Sequence, residues 1–117
     1  MSAPRILIVD DQTAVREELA YALKYEGYRT AEAAHGEAGL DAFREGDIQV
    51  ALVDIKMPGM DGMQLLQKVR EHHAEVPVIM ITGHGDIETA VVALRNGAFD
   101  FLPKPFDTDR VLVSVKN

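Results

Sequence analysis

A chain of 117 residues, 47% hydrophobic and 26% charged, has the length and mixture of one globular domain with a substantial core. It holds no cysteine, which excludes a disulfide framework, thiol catalysis and thiolate metal sites, and no apolar stretch approaches the ~20 residues of a membrane span. Its formal charge of −7 argues against this segment gripping nucleic acid by itself, because phosphate neutralisation requires clustered Lys and Arg.

The start, Met1-Ser2-Ala3-Pro4-Arg5, leads straight into a strand-like run rather than a signal peptide, so the chain reads as cytoplasmic. From there strand and helix patterns alternate without a long linker or repeat. The first strand covers residues 5–10 and is too uniformly apolar to leave one face in water, so helices are expected on both sides of the sheet. Residues 12–26 form an amphipathic helix with Val15, Leu19, Ala22 and Leu23 inward and Gly27 placed to stop it. Residues 28–33 are more polar and fit an edge strand. A shorter helix over 36–44 turns Leu40 and Phe43 inward and ends at Glu45-Gly46-Asp47.

Val50-Ala51-Leu52-Val53 closes on Asp54, and the loop Met57-Pro58-Gly59-Met60-Asp61-Gly62 follows it. A helix through about His73 then carries Met63, Leu66 and Val69. Pro77 opens the fourth strand, Val78-Ile79-Met80-Ile81 stops on Thr82, and a helix over 86–95 presents Ala90, Val91 and Leu94. The fifth strand, 99–103, ends just before Lys104. The last helix, from Thr108, occupies only ten residues, or ~15 Å, which suggests a chain cut short of a longer one. Val111, Leu112, Val113 and Val115 exceed what one helix face buries, which fits either such a cut or a dimer interface.

Five strands alternating with helices imply right-handed crossovers and an α/β, doubly wound, five-stranded parallel sheet, flavodoxin-like, with expected order 2-1-3-4-5. Ligands of such sheets gather beyond the carboxyl ends of the strands, where strands one and three part company. That edge collects Asp10, Asp11 and Asp54. At ~5.5 Å and an effective dielectric of ~20, each ionised pair among them costs roughly 3 kcal/mol, so a cation must offset them. Lys104 supplies one charge. Oxygen-only ligands with no His in the set favour Mg²⁺, with Mn²⁺ as the alternative, and such a site outlines phosphoryl transfer.

The parts follow by role. Asp54, central in the sheet, is the candidate nucleophile, forming an acyl phosphate. Asp10 and Asp11 would hold the metal with Asp54, and the Lys56 backbone carbonyl is a further candidate ligand. Lys104 and the Thr82 hydroxyl would bind phosphoryl oxygens, and Gly83 leaves room for the incoming group.

Along nearly its whole length the chain resembles the receiver domain of two-component response regulators. The resemblance rests on Asp10-Asp11, on Asp54 with Met57-Pro58-Gly59-Met60-Asp61-Gly62, on Thr82-Gly83, and on Lys104-Pro105. It implies that Asp54 accepts phosphate from a sensor histidine kinase, that Mg²⁺ is required, and that the Lys104-Pro105 peptide is cis. The stretches Thr82-Gly83-His84-Gly85-Asp86 and Gly97 to Phe106 look most like NtrC-like and DctD-like transcriptional activators, with FixJ-like regulators also similar. For the first group the resemblance implies an output ATPase and a DNA-binding module beyond Asn117. It also makes Phe101 the switch aromatic: Thr82 swings toward the phosphoryl group, Phe101 turns inward, and the surface of the fourth helix, fifth strand and last helix changes to dimerise or dock. Lys56 and His84 fall where the family tunes phosphate lifetime.

Blander readings exist for each part. Asp10-Asp11 alone would be a helix cap, Thr82 an ordinary strand-end hydroxyl, Lys104 a surface lysine and Phe101 plain core. His35, His72 and His73 read as surface residues. An aspartate-nucleophile phosphatase of the haloacid-dehalogenase type also uses a strand-end Asp with Mg²⁺, but it needs an acid two residues on, where this chain has Lys56. A phosphate-independent interaction module is opposed by the complete set of Asp10, Asp11, Asp54, Thr82 and Lys104.

Overall fold

A computed structural model of the chain describes residues 3–83, 87–104 and 107–116. Five strands, β1 (Arg5–Val9), β2 (Arg29–Ala33), β3 (Val50–Asp54), β4 (Val78–Thr82) and β5 (Asp100–Pro103), alternate with α1 (Thr13–Tyr25), α2 (Gly36–Glu45), α3 (Gly62–His72), α4 (Ile87–Arg95) and α5 (Thr108–Lys116). The sheet is wholly parallel in the order β2-β1-β3-β4-β5. This is the expected doubly wound architecture.

Strand periodicity divides the core into two layers. Leu7, Val9, Ala51, Val53, Val78 and Met80 point to a cluster completed by Leu40 and Phe43 of α2, Leu65, Leu66 and Val69 of α3, and Ala93 of α4. The alternate positions Ile6, Ile8, Leu52, Ile79, Ile81 and Leu102 face Leu19 and Leu23 of α1 and Val111 and Val115 of α5. With both faces covered, the central strands are apolar except at their ends. Edge strand β2 is the polar exception, as its sequence Arg-Thr-Ala-Glu-Ala indicated.

Some expected faces shift. α3 buries Leu65 as well as Leu66 and Val69, while Met63 is only half-buried. In α4 the buried residues are Ala90 and Ala93, leaving Val91 40% and Leu94 39% exposed. That helix is apolar on most sides, so its inward face is decided by which side chains are small enough to seat against the sheet. The last helix buries Val111, Ser114 and Val115, and Val113 is left in solvent.

Ser114 docks α5 on β5 through a polar contact. Its hydroxyl donates to Asp100 Oδ2 at 2.6 Å, Arg110 donates to the same carboxylate at 3.2 and 3.4 Å, and the Phe101 N–H reaches Oδ1 at 2.8 Å. Partial burial pushes the Asp100 carboxyl up, but the Ser114, Arg110 and Phe101 donors together hold it below the ordinary carboxylate value of 3.8. A carboxyl lowered by folding stabilises the fold above its unfolded pKa, and that contribution disappears as pH falls through the folded value. Ser114→Ala is therefore expected to cost about 1–2 kcal/mol at pH 7 in urea denaturation. The gap from wild type should narrow once both proteins are measured well below pH 3.8, where the carboxylate is neutral. A gap that persists unchanged there would assign the loss to packing alone.

Candidate functional site

The carboxyl edge of the sheet brings together the ends of four strands that are far apart in sequence, Asp10 lying 44 positions before Asp54 and 94 before Lys104. Val9 pairs with Val53, so Asp10 and Asp54 leave their strands at the same level. Thr82 ends β4 and pairs with Pro103, and the Lys104 N–H donates to the Thr82 carbonyl at 2.7 Å, fixing where that lysine departs. Asp10 is 0% exposed, Asp54 5% and Thr82 3%, whereas Asp11 is exposed. One carboxylate oxygen from each of Asp10, Asp11 and Asp54 lies within 4.8 Å of the others.

Lys104 faces this cluster, its Nζ 3.4 Å from Asp10 Oδ2 and 3.7 Å from Asp54 Oδ2. The other oxygens take backbone donors: Asp10 Oδ1 accepts from the Gln12 N–H at 2.9 Å, and Asp54 Oδ1 from the Lys56 N–H at 3.3 Å. Arg16 bonds the Asp10 carbonyl at 2.7 Å and stands 3.5 Å from Glu32, which steadies the end of β1. Asp10 Oδ2 is buried with no hydrogen bond among the described residues. An anionic oxygen in that position is costly, and the Lys104 ammonium at 3.4 Å offsets only part of the charge of three clustered carboxylates.

Asp54 has its pKa pushed up to about 6. Burial is the main cause, the Asp10 charge adds to it, and Lys104 and the Lys56 N–H oppose it. At neutral pH the group is still mostly ionised, yet more basic than an ordinary aspartate. Both properties suit a carboxylate nucleophile.

A glycine makes the approach to Asp54 possible. α3 begins at Gly62, whose N–H donates to the Ile55 carbonyl at 2.9 Å, and a Cβ there would collide with the Asp54 carbonyl and sit 2.7 Å from Ile55 Cα. Asp61 caps that helix, accepting from the Gln64 N–H at 2.9 Å while Gln64 Oε1 accepts from the Asp61 N–H at 3.0 Å. The sequence places Gly62 at the end of a loop; its closer constraint is the backbone of the strand end.

The Thr82 hydroxyl donates to the Leu102 carbonyl at 3.4 Å, a long bond from β4 across to β5. Phe101, one residue earlier on that strand, is half-buried and packs against the cluster holding Met80, Ala93 and Ala98. His84 and the Lys104-Pro105 peptide fall outside the described residues. Gln12 was not marked by sequence reasoning, although its Oε1 accepts from Lys104 Nζ at 3.2 Å.

A doubly wound sheet with acidic β1 and β3 ends, a β4 hydroxyl and a lysine after β5 defines the receiver class of signalling domain. The chain belongs to the response regulator receiver domain family, whose model matches residues 6–116. It is 45% identical over 112 residues to the regulatory protein AtoC of Escherichia coli strain K12, covering 96% of this chain and 24% of that protein. It is 44% identical over 108 residues to the DNA-binding transcriptional regulator NtrC of Klebsiella pneumoniae, covering 92% of this chain and 23% of that one. Among solved structures, the receiver domain of NtrX from Brucella abortus superposes with a TM-score of 0.92 at 41% identity, covering 95% of this chain and 94% of that one. The chain thus spans about a quarter of the length of the curated relatives it matches. As a receiver domain it is a phosphorylation-dependent signalling module of the two-component type.

Proposed function

We propose that Asp54 is the phosphoacceptor of this receiver and that a histidine kinase is its donor. The observation that carries the reading is the buried, raised-pKa Asp54 carboxylate at a sheet edge shared with Asp10, Asp11 and Lys104. An Asp54 oxygen attacks phosphorus in line, the P–N bond of phosphohistidine breaks, and the electron pair leaves on an imidazole nitrogen that takes up a proton. Lys104 then follows the charge onto the phosphoryl oxygens.

The buried Asp10 Oδ2, which has the Lys104 ion pair but no hydrogen bond among the described residues, and the all-oxygen donor set fit Mg²⁺, or Mn²⁺ in its place. Asp10, Asp11 and Asp54 would hold it, with the Lys56 carbonyl as a further ligand. Once bound, the ion supplies positive charge for the transferring phosphoryl group.

Thr82 leaves its weak bond to Leu102 and donates to the phosphoryl group, freeing space toward which Phe101 turns. Phe101 has no hydroxyl, so packing drives this step. The change is read on α4, β5 and α5, where Ile87, Val91, Val92, Leu94, Phe99 and Val113 are exposed, and phosphorylated copies pair there as a homodimer. Lys56 and His84 set how long the phosphoryl group survives. One relative is named a DNA-binding transcriptional regulator and this chain matches about a quarter of its length, which supports assigning ATPase and DNA-binding functions to a remainder of the protein rather than to this acidic segment. No helix among the described residues is long and apolar enough to cross a membrane, in keeping with a cytoplasmic switch.

Incubation with Mg²⁺ and acetyl phosphate, followed by intact mass measurement, should add one base-labile phosphoryl group, and chelation of the metal should prevent it. Mg²⁺ alone should raise the melting temperature as its concentration passes its dissociation constant. A wild-type protein that takes up no phosphoryl group under these conditions overturns the reading.

A further inference from the structure

Gln12 occupies the N-cap of α1 without capping it: its side chain makes no hydrogen bond to the free N–H groups of the first turn. Asn, Asp, Ser or Thr would serve that position better, and helix stability is lost by the choice. The side chain instead accepts from Lys104 Nζ at 3.2 Å, across 92 positions of sequence. The same residue's N–H holds Asp10 Oδ1 at 2.9 Å, and its carbonyl starts α1 by accepting from the Arg16 N–H at 3.1 Å. Gln12 therefore joins the acidic end of β1 to the lysine that follows β5.

The distances show what this junction does. Lys104 Nζ is nearer to the neutral amide oxygen than to either carboxylate, at 3.4 and 3.7 Å, whereas an unrestrained ammonium–carboxylate bond closes to about 2.7–2.9 Å. We propose that Gln12 is a positioning residue that holds Lys104 off Asp10 and Asp54, leaving their oxygens open to a divalent cation and the incoming phosphoryl group. The inference rests on Asp54 being the phosphoacceptor. Without the amide oxygen, Lys104 settles onto the carboxylates and competes with both ligands.

Gln12→Met keeps the length and removes the acceptor, and every backbone contact of residue 12 remains available to Met, so α1 still starts at the same place. Thermal-shift titration of the unphosphorylated protein should show the half-saturating Mg²⁺ concentration rising about tenfold, the scale of one hydrogen bond to a charged group. The half-saturating acetyl phosphate concentration should rise with it, while the maximal phosphorylation rate changes less than threefold. Lys104→Met removes the competing charge and should tighten Mg²⁺ binding. In that background Gln12→Met should have no further effect, because it acts only through the lysine.

Wild-type Mg²⁺ affinity in Gln12→Met, or an equal weakening with Lys104 already replaced, overturns the role of Gln12. If wild type takes up phosphate on Asp54 while the titrations are flat across the variants, only the positioning role fails. A wild-type protein that binds Mg²⁺ but is never phosphorylated overturns the reading of Asp54 instead.

Discussion

Asp54→Asn is expected to abolish phosphorylation and, in metal-free buffer at pH 8, to make the protein more stable than wild type. A carboxyl held at about 6 against an ordinary 3.8 corresponds to a penalty of about 3 kcal/mol for carrying charge in the folded state. Because folding raises this pKa, the sign is opposite to that at Asp100. The penalty is absent below 3.8, grows between there and about 6, and is complete above. Asn removes the charge, and the raised value is already net of the attraction to Lys104, so a gain of up to about 3 kcal/mol is expected. Denaturation in EDTA at pH 8, 6 and 4 would show the advantage shrinking as wild type takes up its proton. If the variant is no more stable at pH 8, burial and the Asp10 charge do not press on Asp54 as described. Retained phosphorylation would remove Asp54 as the acceptor.

Gly62→Ala is expected to destabilise the fold by about 3 kcal/mol or more, beyond the usual cost of one added methyl, because the clash is with backbone rather than with a movable side chain. The nearby Gly59 provides the control. It has φ of +73° and open space around its Cα, so Gly59→Ala should cost only about 1 kcal/mol through backbone conformation. Urea denaturation separates the two. Phosphorylation by acetyl phosphate should slow in Gly62→Ala even where the protein remains folded, since relief of the clash must displace the end of β3. Equal losses in the two variants would mean that the α3 start does not abut Asp54.

The sheet order and most of the site were legible because each central strand is a short apolar run stopped by a polar residue. In a doubly wound sheet those stops share one edge, which is enough to bring Asp10, Asp54, Thr82 and Lys104 together. Less was legible where local pattern is ambiguous or the partner is remote. α4 carries Ile, Val, Ala and Leu on most of its circumference, so its period does not select Ala93 over Val91 or Leu94. Gly62 shows a turn in its neighbours, but its obligation comes from the Asp54 carbonyl. Gln12 gives only a faint local signal, a weak capping residue at a helix start, and Lys104, which explains it, is 92 residues away.

The narrow footing of α4 bears on how little work is needed to move it. α3 is anchored by the branched side chains of Leu65, Leu66 and Val69, whereas α4 buries the methyl groups of Ala90 and Ala93. Sliding or turning a helix costs the apolar area it withdraws from the core, and each methyl represents under about 1 kcal/mol against about 1.5–3 for a fully buried Leu or Val. Its larger apolar side chains are already partly at the surface, so a rotation withdraws less apolar area than it would in α3. The fold thus has a gear with shallow teeth beside β5, seated more lightly on the sheet than α3 is.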